Sequence, residues 1–225
     1  MIRSRQIAPS ILSADVSRLG AQVGEVLAAG ARVIHVDVMD GHFVPPITWG
    51  PVVVSALADQ VHGVGGILDV HLMIERPERQ LHEIIGAGAD NVTIHVEATP
   101  HVHYALSAIR EAGCTAGAAI CPATPIDTLF DAAAEEVLDL ALVMSVNPGW
   151  GNQVLIPYSF ERLRRLRAAL ADGVAIEVDG GVHEQTAAEC AGAGANLLVA
   201  GSAVFGSEDP AAAYTALTAA AWPGG

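Results

Sequence analysis

The stretch Ala29-Gly30-Ala31-Arg32-Val33-Ile34-His35-Val36-Asp37-Val38 joins a helix end, a glycine turn and a β-branched run. Glycine just past a helix is the usual left-handed cap, so the turn predicts a helix before it and a strand after it. The unit recurs as Ala87-Gly88-Ala89 and Ala193-Gly194-Ala195, each before an apolar strand, and more loosely as Ala112-Gly113-Cys114. Working outward from these turns, strands are predicted at Gln6 to Ser10, Val33 to Val38, Ile67 to Leu72, Asn91 to Val96, Thr115 to Ile120, Leu140 to Ser145, Ala175 to Val178 and Asn196 to Ala200. Helices are predicted at Arg18 to Ala29, Pro51 to Ala58, Pro77 to Ala87, His101 to Ala112, Ile126 to Ala133, Ser159 to Ala171, Glu184 to Ala191 and Asp209 to Ala220. Unbroken alternation of this kind implies parallel strands with crossover helices. Eight such units are the content of a single (β/α)8 TIM barrel, expected here as one domain over residues 1–225. An open doubly wound sheet is the alternative. Its dinucleotide-binding form shows Gly-x-Gly-x-x-Gly after the first strand, where this chain has Pro9-Ser10-Ile11-Leu12-Ser13.

All 11 basic residues are arginine, against 25 acidic residues and a net charge of −14. The absence of lysine excludes Schiff-base aldolases, pyridoxal-phosphate enzymes and P-loop nucleotidases, each of which needs a particular amine. The acidic balance argues against nucleic-acid and anionic-membrane partners. The one basic cluster, Arg162, Arg164, Arg165 and Arg167, reads as a solvated helix face. Apolar residues make up 52% and aromatic ones only 4%, so the core must be aliphatic. The Ala-rich tail from Ala211 to Ala221 is too short for a membrane span and is broken by Thr215 and Thr218. Arg3 and Arg5 precede only a short apolar stretch containing Pro9, which does not read as a signal peptide. Cys114, Cys121 and Cys190 have no metal-type spacing and fit free thiols in a reducing cytoplasm. A cytoplasmic homo-oligomer is expected.

In a barrel, chemistry gathers at the C-terminal strand ends. There the sequence places His35 and Asp37, Asp69 and His71, His95 and Glu97, and Glu177 and Asp179. Each is an i, i+2 pair whose members face the same side of a strand. A lone His or Asp at a strand end is more often a hydrogen-bonded core group than a ligand, but four pairs at corresponding ends form a cluster. Buried unpaired charges cost several kcal/mol each, so the cluster calls for a compensating cation. Without lysine, a divalent metal is the expected one. Imidazoles with carboxylates suit zinc, iron or manganese.

Ala8-Pro9-Ser10-Ile11-Leu12-Ser13-Ala14-Asp15, His35-Val36-Asp37-Val38-Met39-Asp40-Gly41-His42-Phe43-Val44-Pro45, Asp69-Val70-His71-Leu72-Met73-Ile74, Val146-Asn147-Pro148-Gly149 and Glu177-Val178-Asp179-Gly180-Gly181 together resemble the ribulose-phosphate 3-epimerase family. The resemblance runs from about Ile7 to Pro210. It implies one divalent metal held by His35, Asp37, His71 and Asp179, with Asp37 and Asp179 also serving as the acid/base pair. It implies a phosphorylated ketose as substrate and no organic cofactor. The chemistry agrees: epimerisation beside a ketone removes a proton from one face and returns one to the other, and a Lewis acid stabilises the enediolate. Asp69, His95 and Glu177 are not carried over as ligands. Asp69 and Glu177 are expected to orient neighbouring imidazoles or strands.

The phosphate must be held without lysine. Gly180, Gly181, Gly201 and Ser202 follow strands seven and eight, the usual phosphate position of such barrels. Gly149, Trp150, Gly151 and Asn152 would close over it, while Ser10 and His71 would contact the sugar. By the same resemblance Met39, Met73 and Met144 line the cavity and exclude water. Three positions depart from the family pattern: Asn152 for glycine, and Pro46 and Cys121 for asparagine. They leave open a 3-epimerase of another phosphoketose, such as a ketohexose 6-phosphate. A non-catalytic sugar-phosphate binding protein is the reading from a different class.

Overall fold

The computed structural model describes residues 2–224. Its strands are β1 (Gln6–Pro9), β2 (Val33–Met39), β3 (Ile67–Met73), β4 (Asn91–His95), β5 (Thr115–Ile120), β6 (Leu140–Met144), β7 (Ala175–Asp179) and β8 (Leu197–Ala200). They form one parallel sheet in the order β1-β8-β7-β6-β5-β4-β3-β2. A parallel bridge between Ser10 and His35 brings the two ends together, giving the eight-stranded barrel.

The helices are α1 (Leu19–Ala28), α2 (Pro51–His62), α3 (Leu81–Gly86), α4 (Val102–Glu111), α5 (Phe130–Ala134), α6 (Ser159–Ala169), α7 (Glu184–Gly192), α8 (Ser202–Phe205) and α9 (Pro210–Ala221). Each turn predicted from the Ala-Gly-Ala units is left-handed, with φ of +108° at Gly30, +108° at Gly88 and +109° at Gly194. The helix α2 runs four residues beyond the predicted end, because Val54, Leu57 and Val61 form one buried stripe. The stretch predicted from Ile126 opens as a 3-10 turn, Ile126–Leu129. There the Thr128 hydroxyl donates to the Pro125 carbonyl at 2.7 Å and competes with a regular helical start. The short α8 was not predicted. No helix among the described residues is long and apolar enough to cross a membrane.

Every residue of β2 is buried, as strands enclosed on both faces must be. Ile34, Val36 and Val38 belong to the core beneath the helices, with Val54, Leu57 and Val61 of α2. The alternate residues face inward: Val33 joins Leu140, Leu142 and Leu197 inside the barrel, and Met39 joins Met73 and Val44 at the mouth. Between that floor and that cap lie His35 and Asp37.

Candidate active site

Strand register assembles the polar layer. Asp37 lies opposite His71, and His35 opposite Asp69, across β2 and β3. Asp179, at the end of β7, lies opposite Met144 and Val199. The His35 Nε2 and His71 Nδ1 atoms each stand 3.2 Å from Asp37 Oδ1. Asp179 Oδ2 is 3.7 Å from His71 Nδ1. These four residues offer ligand atoms that all lie within 4.8 Å of one another. Donors about 2.0–2.2 Å from a tetrahedral ion sit about 3.3–3.6 Å apart, so the spacing and the N/O chemistry fit a divalent metal. The sequence-predicted ligand set is therefore one spatial cluster.

Its surroundings are fully buried. His35 Nδ1 donates to Asp69 Oδ2 at 2.7 Å, and Asn91 holds the other oxygen of Asp69. The Ser10 hydroxyl donates to Asp37 Oδ2 at 2.5 Å while accepting from the Leu12 N–H. Burial pushes the His35 pKa down, but the charges of Asp37 and Asp69 outweigh it and hold the imidazole well above its usual value. Burial alone would raise Asp37; His35 and His71 reverse that and hold its carboxyl below the usual range. Asp179 has no such donors, and burial together with the Asp37 charge pushes it up to about 7. Burial and Asp69, with which it shares a side-chain hydrogen bond, likewise raise Glu177 well above an ordinary carboxyl. Burial and like charge thus favour the protonated form of these two carboxyls, and a cation beside them would favour the charged form.

Above the cluster lies a cavity of ≈ 400 Å³. Asp37 and Asp179 face it with Ser10; Met39, Met73 and Met144 line its wall; and Gly149, Trp150, Gly151, Asn152, Gly180, Gly181, Gly201 and Ser202 also border it. His71 and His35 have no exposure and lie outside its lining. Gly180 has φ +114°, and a Cβ there would stand 2.3 Å from Val146 Cγ2; Gly181 has φ +65°, and a Cβ would stand 2.5 Å from the Leu155 nitrogen. Asn152 is left-handed at φ +58°, a conformation asparagine tolerates where glycine is usual. Pro46 lines an adjoining hollow with Trp150. Cys121 packs instead against His95, with Sγ 3.6 Å from Nδ1.

One expectation is corrected. Arg162 is 3% exposed rather than solvated, and its Nη2 donates to the carbonyls of Cys121 and Thr124 at 3.0 and 2.8 Å. Helical charge periodicity gave no sign of this, because the acceptors belong to the loop after β5. Ser145 was also missed. Its hydroxyl donates to the carbonyls of Asp179 and Gly180 at 2.8 and 2.5 Å and fixes the end of β7. Asp40, within the motif after β2, is structural: its oxygens accept from the backbone N–H groups of His42, Phe43 and Glu75.

Fold and site together define a class, a (β/α)8-barrel enzyme with two carboxyls facing one cavity over a metal-competent cluster. A model of the ribulose-phosphate 3-epimerase family matches residues 6–205. The ribulose-phosphate 3-epimerase of Escherichia coli (strain K12) is 46% identical over 206 residues, covering 90% of each chain. That of Bacillus subtilis (strain 168) is 46% identical over 213 residues, covering 91% of this chain and 94% of the relative. The chain belongs to the ribulose-phosphate 3-epimerase family. Among solved structures, the 3-hexulose-6-phosphate synthase from Salmonella typhimurium superposes with a TM-score of 0.72 over 96% of this chain and 98% of that one. At 15% identity that likeness is one of fold alone.

Proposed function

We propose that this chain interconverts D-ribulose 5-phosphate and D-xylulose 5-phosphate, with Asp37 and Asp179 as the two proton-transfer groups. The observation that carries this reading is the pair itself. Carboxyls from β2 and β7 face one cavity, and their surroundings drive their proton affinities apart, Asp37 down and Asp179 up to about 7. A two-base epimerisation needs one group ready to accept a proton and one ready to give it. Asp37 takes the proton from the third carbon on one face, Asp179 returns one on the other, and the reverse reaction exchanges the roles.

His35, Asp37, His71 and Asp179 would hold a single divalent ion, zinc, iron or manganese. When bound, it would supply Lewis-acid polarisation of the substrate's ketone. No organic cofactor is required by this chemistry. The methionine wall excludes water from the reacting carbons. Backbone amides around Gly180, Gly181, Gly201 and Ser202 hold the phosphate, and the 149–152 loop covers it. Ser10 borders the sugar. His71, with both nitrogens engaged, acts through the cluster rather than by direct contact with substrate. The reading extends to one catalytic domain over residues 1–225, a cytoplasmic setting and a homo-oligomeric assembly.

Pro46 and Asn152 near the rim support a second reading, epimerisation of another phosphoketose. Steady-state comparison of pentulose 5-phosphates with hexulose 6-phosphates decides between them. A kcat/KM at least about tenfold higher for the pentuloses is expected; the opposite ranking would establish the second reading. Incubation in deuterium oxide should label the third carbon of the substrate, and no incorporation would leave only a binding protein.

A further inference from the structure

His95, Glu97 and Cys121 form a second group of ligand-type side chains, adjoining the first through His71. The His71 and His95 rings meet edge to edge, their planes 27° apart and their centroids 5.0 Å apart, with the Nε2 atoms 2.9 Å from each other. A nitrogen-to-nitrogen contact of that length holds one proton. His71 Nδ1 faces Asp37 and the metal-competent cluster, and a nitrogen that ligates a metal must keep its lone pair. With that ion bound, the His71 proton is therefore on Nε2 and is donated to His95 Nε2. His95 must then carry its own proton on Nδ1, which lies 3.1 Å from Glu97 Oε2.

The far end of the chain is fixed as firmly. Glu97 Oε1 accepts the Cys121 N–H at 2.7 Å and the Thr124 hydroxyl. Arg162 clamps the carbonyls of those same two residues. Every donor from His71 to Glu97 meets an acceptor, and the direction cannot be reversed without setting two donors or two acceptors face to face. His35 is oriented by the same logic in one step, through Asp69.

We infer that Glu97 is a positioning residue that acts through His95 to hold His71 in the tautomer leaving Nδ1 open to the metal. The inference rests on the proposed ion at the four-residue cluster. The competing role for His95, Glu97 and Cys121 is a second metal site. A cation on His95 Nδ1 would move that ring's proton to Nε2, where it would oppose the His71 proton across 2.9 Å.

The test uses Zn²⁺ with the full chain. Nitrogen-15 NMR of the histidine-labelled, zinc-loaded wild type should place the proton of His71 on Nε2 and that of His95 on Nδ1. A His95 proton on Nε2 overturns the relay without any variant. Glu97→Gln preserves volume but turns an amide donor toward either His95 or the Cys121 N–H. Chelator competition should then show the Zn²⁺ dissociation constant raised about tenfold, as for other groups that orient metal-ligating histidines. Glu97→Ala, which deletes the acceptor, should shift it the same way. An affinity within twofold of wild type in both variants overturns the inference and leaves the metal reading standing. Two zinc ions per chain, one lost on Cys121→Ser, also overturns it. A wild type that binds no zinc overturns both readings.

Discussion

Asp37 and Asp179 play matched chemical parts in unequal surroundings. Asp37 oxygens take bonds from Ser10 and His35 and face His71 Nδ1 at 3.2 Å, whereas Asp179 keeps a side chain 16% exposed and only a distant His71. Replacing Asp37 by asparagine turns an amide donor against groups that already donate, leaving a buried polar mismatch worth about 1–3 kcal/mol. At Asp179 the same change is nearly isosteric and meets no such donors. Asp37→Asn and Asp179→Asn should each lower kcat by about 10²–10⁴-fold, but only Asp37→Asn should lower the melting temperature of the metal-free protein. Coupled assays and thermal melts check both halves, and near-normal turnover in either variant would sink the two-base mechanism. The ligand residues were legible in the sequence because period-two strands force i, i+2 pairs onto one side, and the resemblance singled out four among eight. Arg162 was not legible. Its neighbours Arg164 and Arg165 make it look like surface, and its burial depends on a loop folding over it from β5.

At the scale of elements, the Ala-Gly-Ala turns that predict the barrel are equivalent in backbone conformation and unequal in surroundings. At Gly30 an added Cβ meets nothing within 4 Å; at Gly88 it would stand 2.9 Å from the Ala58 Cβ on α2. Gly30→Ala should cost only the left-handed backbone penalty, about 1–2 kcal/mol. Gly88→Ala should cost about 1–3 kcal/mol more, because α2 must move. Urea titrations of the two variants test the ordering, and equal midpoints would contradict it. These turns were readable because glycine is the residue that a left-handed helix end demands. Element boundaries were less so: the extension of α2 to His62 follows from Val61 completing a buried stripe, and α8 spans too few residues to show any period.

Across the whole molecule, the inside of the barrel divides into an apolar part, with Val33, Leu140, Leu142, Leu197 and Val199, and a polar part built on β2, β3, β4 and β7. The polar part buries Asp37, Asp69 and Glu177 around His35, with Asp179 at its upper edge. An acidic chain of net charge −14 with no lysine has no ammonium group to neutralise them. The site must either retain protons, the direction in which burial and neighbouring carboxylates push Asp179 and Glu177, or take a cation. A metal bound by the folded barrel and not by the unfolded chain adds its binding free energy to stability. Zn²⁺ at a hundredfold excess over its dissociation constant should stabilise the fold by about 2.7 kcal/mol, raising the melting temperature of a domain this size by about 5–11 °C. Chelation should return the melt to its starting point, and His35→Ala and His71→Ala should each abolish the increment while still folding. If the increment survives in both variants, the stabilising ion lies elsewhere, and the compensation of charge inside this barrel is made by protons alone.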